Sequence, residues 1–166
     1  MKKKIVILGS TGSIGVKTFN IFKKDKKKYN VVLLSTNSNL KKIITQAKEL
    51  KVKNIIINNK KIFNFVKKNK KLKSINIYNN FDEIKKIINT KNIYYSMISV
   101  TGLDGLKPTI LLSKFSKNIG IVNKESLICG WDLIKKNLKK YKTNFVPIDS
   151  EHFSIYTLLK NYKLED

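Results

Sequence analysis

Arginine is absent from these 166 residues, and alanine (Ala47), cysteine (Cys129) and histidine (His152) occur once each. A single cysteine excludes a disulfide scaffold and any metal site built from several thiolates. The longest uninterrupted apolar runs, Ile5 to Leu8 and Val31 to Leu34, have four residues, whereas a membrane helix needs about 20. After Met1-Lys2-Lys3-Lys4 the chain passes straight into a strand-like run and Gly9. That leaves no room for the apolar core of a secretory signal, so the expected compartment is the cytoplasm.

Acids are scarce as well. Asp and Glu number 11 against 35 basic residues, all of them lysine, for a net charge of +24. Such an excess raises the possibility of a nucleic-acid binder, because phosphate neutralisation drives that binding. The missing arginine argues against it, since groove and phosphate recognition leans on the bidentate guanidinium. Lysine here accompanies 24 Ile and 19 Asn, the signature of AT-rich coding sequence, and lysine runs are ordinarily solvated faces. A basic nucleic-acid-binding domain is the non-enzyme alternative. With 42% apolar and 28% charged residues, the chain has the composition and length of one globular domain.

Short apolar runs alternate with stretches of helical spacing. Strands are expected at Lys4 to Leu8, Val31 to Ser35, Asn54 to Ile57, Ser74 to Ile77, Tyr94 to Val100, Asn118 to Val122 and Thr143 to Ile148. Between them, helices are expected at Ser13 to Lys24, from Asn39 through Leu50, near Ile62 to Lys68, after Asn80, at Leu106 to Phe115 and at Lys124 to Lys140, with another beginning near His152. Leu40, Ile43, Ile44, Ala47 and Leu50 fall on one face behind an Asn39 cap. This alternation predicts an α/β fold, a doubly wound parallel sheet of Rossmann type. Cys129 reads as a small buried side chain, and Trp131 as one of several aromatics at core-like spacing.

The first strand-to-helix junction is Gly9-Ser10-Thr11-Gly12-Ser13-Ile14-Gly15. A glycine-rich loop in that context lets the backbone approach a pyrophosphate whose charge rests on the helix N-terminus. The spacing is G-x-x-G-x-x-G, and a plain tight turn is its structural alternative. At the end of the second strand, where NAD-binding domains place a carboxylate for the ribose 2′-hydroxyl, the segment is Ser35-Thr36-Asn37-Ser38-Asn39. Polar donors with Lys41 and Lys42 nearby favour a 2′-phosphate, and hence NADP over NAD.

Three later strand ends also carry polar clusters: Thr101-Gly102-Leu103-Asp104-Gly105, Asn123-Lys124-Glu125-Ser126 and Asp149-Ser150-Glu151-His152. In a parallel sheet such loops converge on one edge. If Asp149 to Glu151 is extended, its two carboxylates point the same way, which suits a hard cation such as Mg²⁺ or Mn²⁺. The alternative for this pair is acidic decoration of a helix start. His152 has no partner in sequence and reads as structural.

Taken together with Gly105-Leu106-Lys107-Pro108-Thr109 and Val146-Pro147-Ile148, these segments resemble the 1-deoxy-D-xylulose 5-phosphate reductoisomerase family, in order along essentially the whole chain. The resemblance implies an enzyme that uses NADPH and a divalent metal to make 2-C-methyl-D-erythritol 4-phosphate in the non-mevalonate isoprenoid pathway. It implies a cofactor domain over residues 1–122 and the start of an α+β catalytic domain over 123–166. By resemblance, Gly9, Thr11, Gly12, Ser13, Ile14, Asn37, Ser38, Asn39, Asn123 and Glu125 serve the cofactor. Lys124, Ser150 and Glu151 contact the phosphorylated sugar, with Lys124 and Glu151 catalytic, and Asp149 and Glu151 hold Mg²⁺ or Mn²⁺.

The loop Thr36 to Ser38 departs from the Ala-Gly-Lys of some members. Members are more than twice this length, so the chain is expected to be the N-terminal part, binding NADPH weakly and turning nothing over alone. The longer form is expected to be a homodimer, with neither nucleic acid nor membrane as partner. A different NADP-linked dehydrogenase, which would not need Asp149-Ser150-Glu151, is the enzyme alternative.

Overall fold

The structure, a computed structural model, describes residues 1–68, 74–148 and 158. Its elements run β1 (Lys3–Leu8), α1 (Ser13–Lys24), β2 (Tyr29–Thr36), α2 (Leu40–Leu50), β3 (Asn54–Ile57), α3 (Lys60–Lys68) and β4 (Asn76–Tyr78). They continue with α4 (Ile84–Ile87), β5 (Ile93–Ile98), α5 (Leu106–Ser113), β6 (Ser116–Ile121), α6 (Lys124–Tyr141) and β7 (Asn144–Pro147). Single 3-10 turns at Phe81–Glu83 and Leu103–Gly105 lead into α4 and α5.

The seven strands form one sheet in the order β4-β3-β2-β1-β5-β6-β7, and every neighbouring pair is parallel. From β1 the order runs outward in both directions, so the switch point lies between β1 and β5. In such sheets this is where a crevice opens beyond the carboxyl ends of the strands. The doubly wound fold expected from the sequence is the observed one.

Successive residues of β1 face opposite layers. Val6 and Leu8 join Leu112, Ile134 and Leu138 of α5 and α6. Ile5 and Ile7 join Phe19, Ile43, Ala47 and Val66 of α1, α2 and α3. Because both faces are covered, Ile5 to Leu8 are fully buried, which explains an unbroken apolar run where a one-faced strand would alternate.

Several local expectations need correction. The helix expected after Asn80 is a 3-10 turn plus one α turn, with Asn80 Oδ1 accepting the Asp82 N–H at 2.9 Å. Cys129 is exposed, and Trp131 stands 41% exposed, leaning edge-on against Phe145. Both sit on the outer side of α6, whose inner stripe is Gly130, Ile134 and Leu138. At the C-terminal side β7 pairs β6, and α6 contributes Ile134 and Leu138 to the core shared with α5. Among the described residues no helix is long and apolar enough to cross a membrane.

Candidate dinucleotide site

The glycine loop caps the switch point, and its three glycines have different reasons to be there. Gly9 has φ +73°, and a Cβ on it would lie 2.2 Å from Ser99 O. A Cβ on Gly15 would lie 2.1 Å from Gly9 O and 2.7 Å from Ser10 Cα. Packing of the chain on itself therefore dictates glycine at both positions. A Cβ on Gly12 would meet only Gly9 O, at an ordinary 3.5 Å. The fold does not demand this glycine, and it stands on the side that opens to solvent.

Gly12 is also the N-cap of α1, with no side-chain cap and no acid in the first turn. Three other helices that rise from this edge are capped by asparagine: Asn39 Oδ1 accepts the Lys42 N–H at 3.1 Å, Asn59 Oδ1 the Ile62 N–H at 3.1 Å, and Asn123 Oδ1 the Ser126 N–H at 2.9 Å. The first-turn N–H groups of α1 thus keep their donor capacity for an incoming anion.

The loop is tied to β2 and α2 by a buried polar cluster. Gly9 N–H donates to Ser35 Oγ (2.9 Å), Ser10 Oγ donates to Gln46 Oε1 (2.8 Å), and Gln46 Nε2 donates back to Ser10 O (2.8 Å). The Thr11 and Thr36 hydroxyls lie 2.7 Å apart, and Thr36 Oγ1 also accepts the Asn39 N–H at 3.2 Å. Next to β5, Ser99 Oγ donates to Leu8 O at 2.6 Å. Gln46 is a residue that sequence reasoning missed. Its signal was a polar side chain on the otherwise apolar stripe of α2.

A crevice of about 200 Å³ follows, lined by Gly9, Thr11, Gly12 and Asn37 on one side and by Val100, Thr101 and Asp104 on the other. Asn58, at the end of β3, also lines it, and its Oδ1 is the one buried side-chain polar atom without a partner among the described residues. Of the residues singled out in the sequence, Gly9, Thr11, Gly12 and Asn37 therefore share one wall. Ser13 and Ile14 form the first turn of α1, and Ser38 and Asn39 are exposed where α2 begins. Asn58 and Asp104 were not assigned roles from the sequence.

Asn123 is 5% exposed, and its side chain is engaged within the protein. Besides capping α6, its Nδ2 donates to Val100 O at 2.6 Å and to Gly102 O. Lys124 and Glu125 are exposed on the first turn of α6. Lys124 borders an apolar groove of about 390 Å³ with Leu127, Ile128, Trp131 and Phe145. Asp149, Ser150, Glu151 and His152 lie outside the described residues. Among the described residues no three His, Cys, Asp or Glu side chains are grouped as metal ligands.

Comparison with known proteins agrees with this geometry. The family model of 1-deoxy-D-xylulose 5-phosphate reductoisomerase matches residues 5–130. The reductoisomerase of Pelagibacter ubique is 54% identical over 97% of this chain, which spans 42% of that relative's length. Among solved structures, the Zymomonas mobilis reductoisomerase in complex with NADPH superposes with a TM-score of 0.85 at 27% identity, over 95% of this chain and 41% of its own. A reductoisomerase in complex with NADPH, fosmidomycin and magnesium gives 0.82 at 28%, over 93% and 38%. The glycine loop, the strand order that opens a crevice beside it and the family match over most of the sequence lead to one conclusion: the chain belongs to the 1-deoxy-D-xylulose 5-phosphate reductoisomerase family.

Proposed function

We propose that this chain supplies the NADPH-binding part, and the first catalytic residues, of an enzyme that converts 1-deoxy-D-xylulose 5-phosphate to 2-C-methyl-D-erythritol 4-phosphate. The observation that carries the reading is Gly12, a glycine the fold does not need, at the uncapped N-terminus of α1 and on the wall of the switch-point crevice. A pyrophosphate seated there meets free N–H donors and the positive end of the helix, with no side chain in its way.

When bound, NADPH supplies the hydride, and Mg²⁺ or Mn²⁺ supplies Lewis acidity at the substrate carbonyl. The chain's own residues bind and orient. Gly9 shapes the turn, while Thr11, Gly12, Ser13 and Ile14 receive the pyrophosphate. Asn37, Ser38 and Asn39 offer neutral polar groups to the adenosine 2′-phosphate, at a strand end that carries no competing carboxylate. Residues 1–122 make up the cofactor part, and residues 123–166 begin the catalytic part. There Asn123 and Glu125 serve the cofactor side, Lys124, Ser150 and Glu151 hold the substrate, and Lys124 places a cation beside developing oxyanion charge. Asp149 and Glu151 offer carboxylate oxygens, the donor chemistry that hard divalent cations take. The longer form is read as a cytoplasmic homodimer.

Titration of this chain with NADPH tests the reading. Gly12→Val is expected to weaken NADPH by tenfold or more, roughly, while leaving the melting temperature within a few degrees. Binding that survives Gly12→Val would sink the proposal. DNA binding that falls steeply with salt, but is indifferent to this substitution, would favour the basic nucleic-acid alternative.

A further inference from the structure

We infer that Asp104 is a ribose-recognition residue, its carboxylate accepting hydrogen bonds from the hydroxyl pair on the nicotinamide-side ribose of the dinucleotide. The inference rests on the reading in the preceding subsection and adds to it a contact that neither the glycine loop nor the β2 side can make.

The sheet order sets the direction. β2 and β5 flank β1 on opposite sides. A dinucleotide with its pyrophosphate over the β1–α1 loop must therefore extend one nucleoside toward the end of β2 and the other toward the end of β5. The 2′-phosphorylated adenosine belongs on the β2 side, at Asn37 to Asn39. The second ribose then falls beside Val100, Thr101 and Asp104, which line the same crevice as Gly9 and Gly12.

Among the described residues, Asp104 is the only charged one lining that crevice. The chain carries a net charge of +24, yet Asp104 takes part in none of the ion pairs among the described residues. An ionised carboxylate is an acceptor only, and a vicinal diol presents two donors, so the two are chemically matched. A carboxylate facing the pyrophosphate itself would be repelled, which confines a favourable role to the uncharged sugar.

The loop that carries Asp104 is also held in place. Asn123 Nδ2 bonds the carbonyls of Val100 (2.6 Å) and Gly102, and Ser126 Oγ reaches Gly102 O at 3.4 Å. Gly105 lies against this latch so closely that a Cβ there would sit 2.8 Å from Asn123 Nδ2. Little ordering is then left for the ligand to impose, which is the condition under which one hydrogen-bonding group contributes fully to affinity.

Two ligands separate this contact from the rest of the site. NADPH carries the second ribose, whereas adenosine 2′,5′-bisphosphate carries the adenosine end and lacks it. Asp104→Ala is expected to weaken NADPH roughly tenfold, with the bisphosphate unchanged within about twofold, and Asp104→Asn, which keeps a neutral acceptor, to fall between. NADPH affinity that is unchanged or improved in Asp104→Ala overturns the inference. So does an equal loss for both ligands, which would mean general damage to the crevice. If the unaltered chain binds neither ligand, the functional reading itself fails and this contact fails with it. If it binds both and only the Asp104 variants behave as wild type, the functional reading stands and the ribose contact alone is wrong.

Discussion

The two walls of the crevice are built differently. On the β2 side, the glycine loop is fastened through Ser10, Ser35, Gln46 and the Thr11–Thr36 pair, so backbone and hydroxyls close on one another across three elements. On the β5–β6 side, Asn123, seconded by Ser126, fastens the loop to α6. Beyond it, Lys124 and Glu125 are exposed next to an apolar groove. The first wall is closed on itself by these bonds. The second presents chemically capable groups without surrounding them. The chain spans 42% of the length of its Pelagibacter relative, and the family's chemistry is expected to draw on residues from 124 onward.

The largest expected effect separates glycines within the first wall. Gly15→Ala forces a Cβ against Gly9 O and Ser10 Cα, which are backbone atoms with nowhere to go. It should cost about 3 kcal/mol and lower the melting temperature by roughly 10 °C. Gly12→Val, on the same loop, should leave thermal unfolding nearly untouched while weakening NADPH by roughly tenfold or more. Equal destabilisation by the two would erase the distinction between the fold-required and ligand-facing glycines.

On the second wall, Asn123→Asp keeps the cap of α6 but turns an oxygen toward the carbonyls of Val100 and Gly102. The expected cost is about 2 kcal/mol, measurable by denaturant unfolding. Amide exchange at 101–105 should accelerate while α6 stays protected. A variant that lost NADPH affinity with unchanged exchange would show Asn123 acting by contact with the cofactor and not through the latch.

How much of this was visible in the sequence follows the same division. The Asn39 cap, the stripe of α2 and the apolar runs of β1 to β3 were legible because each is set by residues within a few positions of one another. The glycine loop was legible as a loop, yet which glycine serves a ligand depends on Ser99, far along the chain, and on Gly9 O. Gln46 was opaque because its partner Ser10 lies 36 residues away. Periodicity placed Cys129 and Trp131 on a helix correctly but cannot say whether a second layer covers its outer face. In the structure that face is open, and so both are exposed. The proposed metal-holding residues follow from the family resemblance and the D-x-E spacing, and they lie outside the described residues.

The β5–β6 side also responds to pH. Tyr95 is partly buried, and that burial pushes its phenol up from 10 to about 12, while Gly120 leaves room for its ring across β6, where a Cβ would meet Tyr95 Oη at 2.1 Å. The raised value favours the neutral phenol in the folded state. Its contribution is therefore fully present below pH 10 and is lost as pH rises from 10 toward 12, by about 2 kcal/mol. Unfolding midpoints measured from pH 8 to 12 should fall in that window. Tyr95→Phe should flatten the fall, and a variant that follows the parent curve would place the loss elsewhere.

The smallest expected effect returns to the first wall. Asn37, Ser38 and Asn39 are exposed, and the Asn39 side chain is already occupied in capping α2. In the proposed reading a 2′-phosphate there meets neutral donors, where some members of the family carry a lysine in the loop. Ser38→Lys adds that cation at a solvent-facing position, where an ion pair is worth about 1 kcal/mol at most. NADPH affinity should rise by up to about fivefold, NADH affinity should stay the same, and the gain should shrink as salt is added. Equal gains for the two cofactors would mean that the new charge merely adds to the general field of a chain already at +24. A gain confined to NADPH would place the 2′-phosphate beside Ser38 and show that this wall, complete in its hydrogen bonds, still has room for a charge.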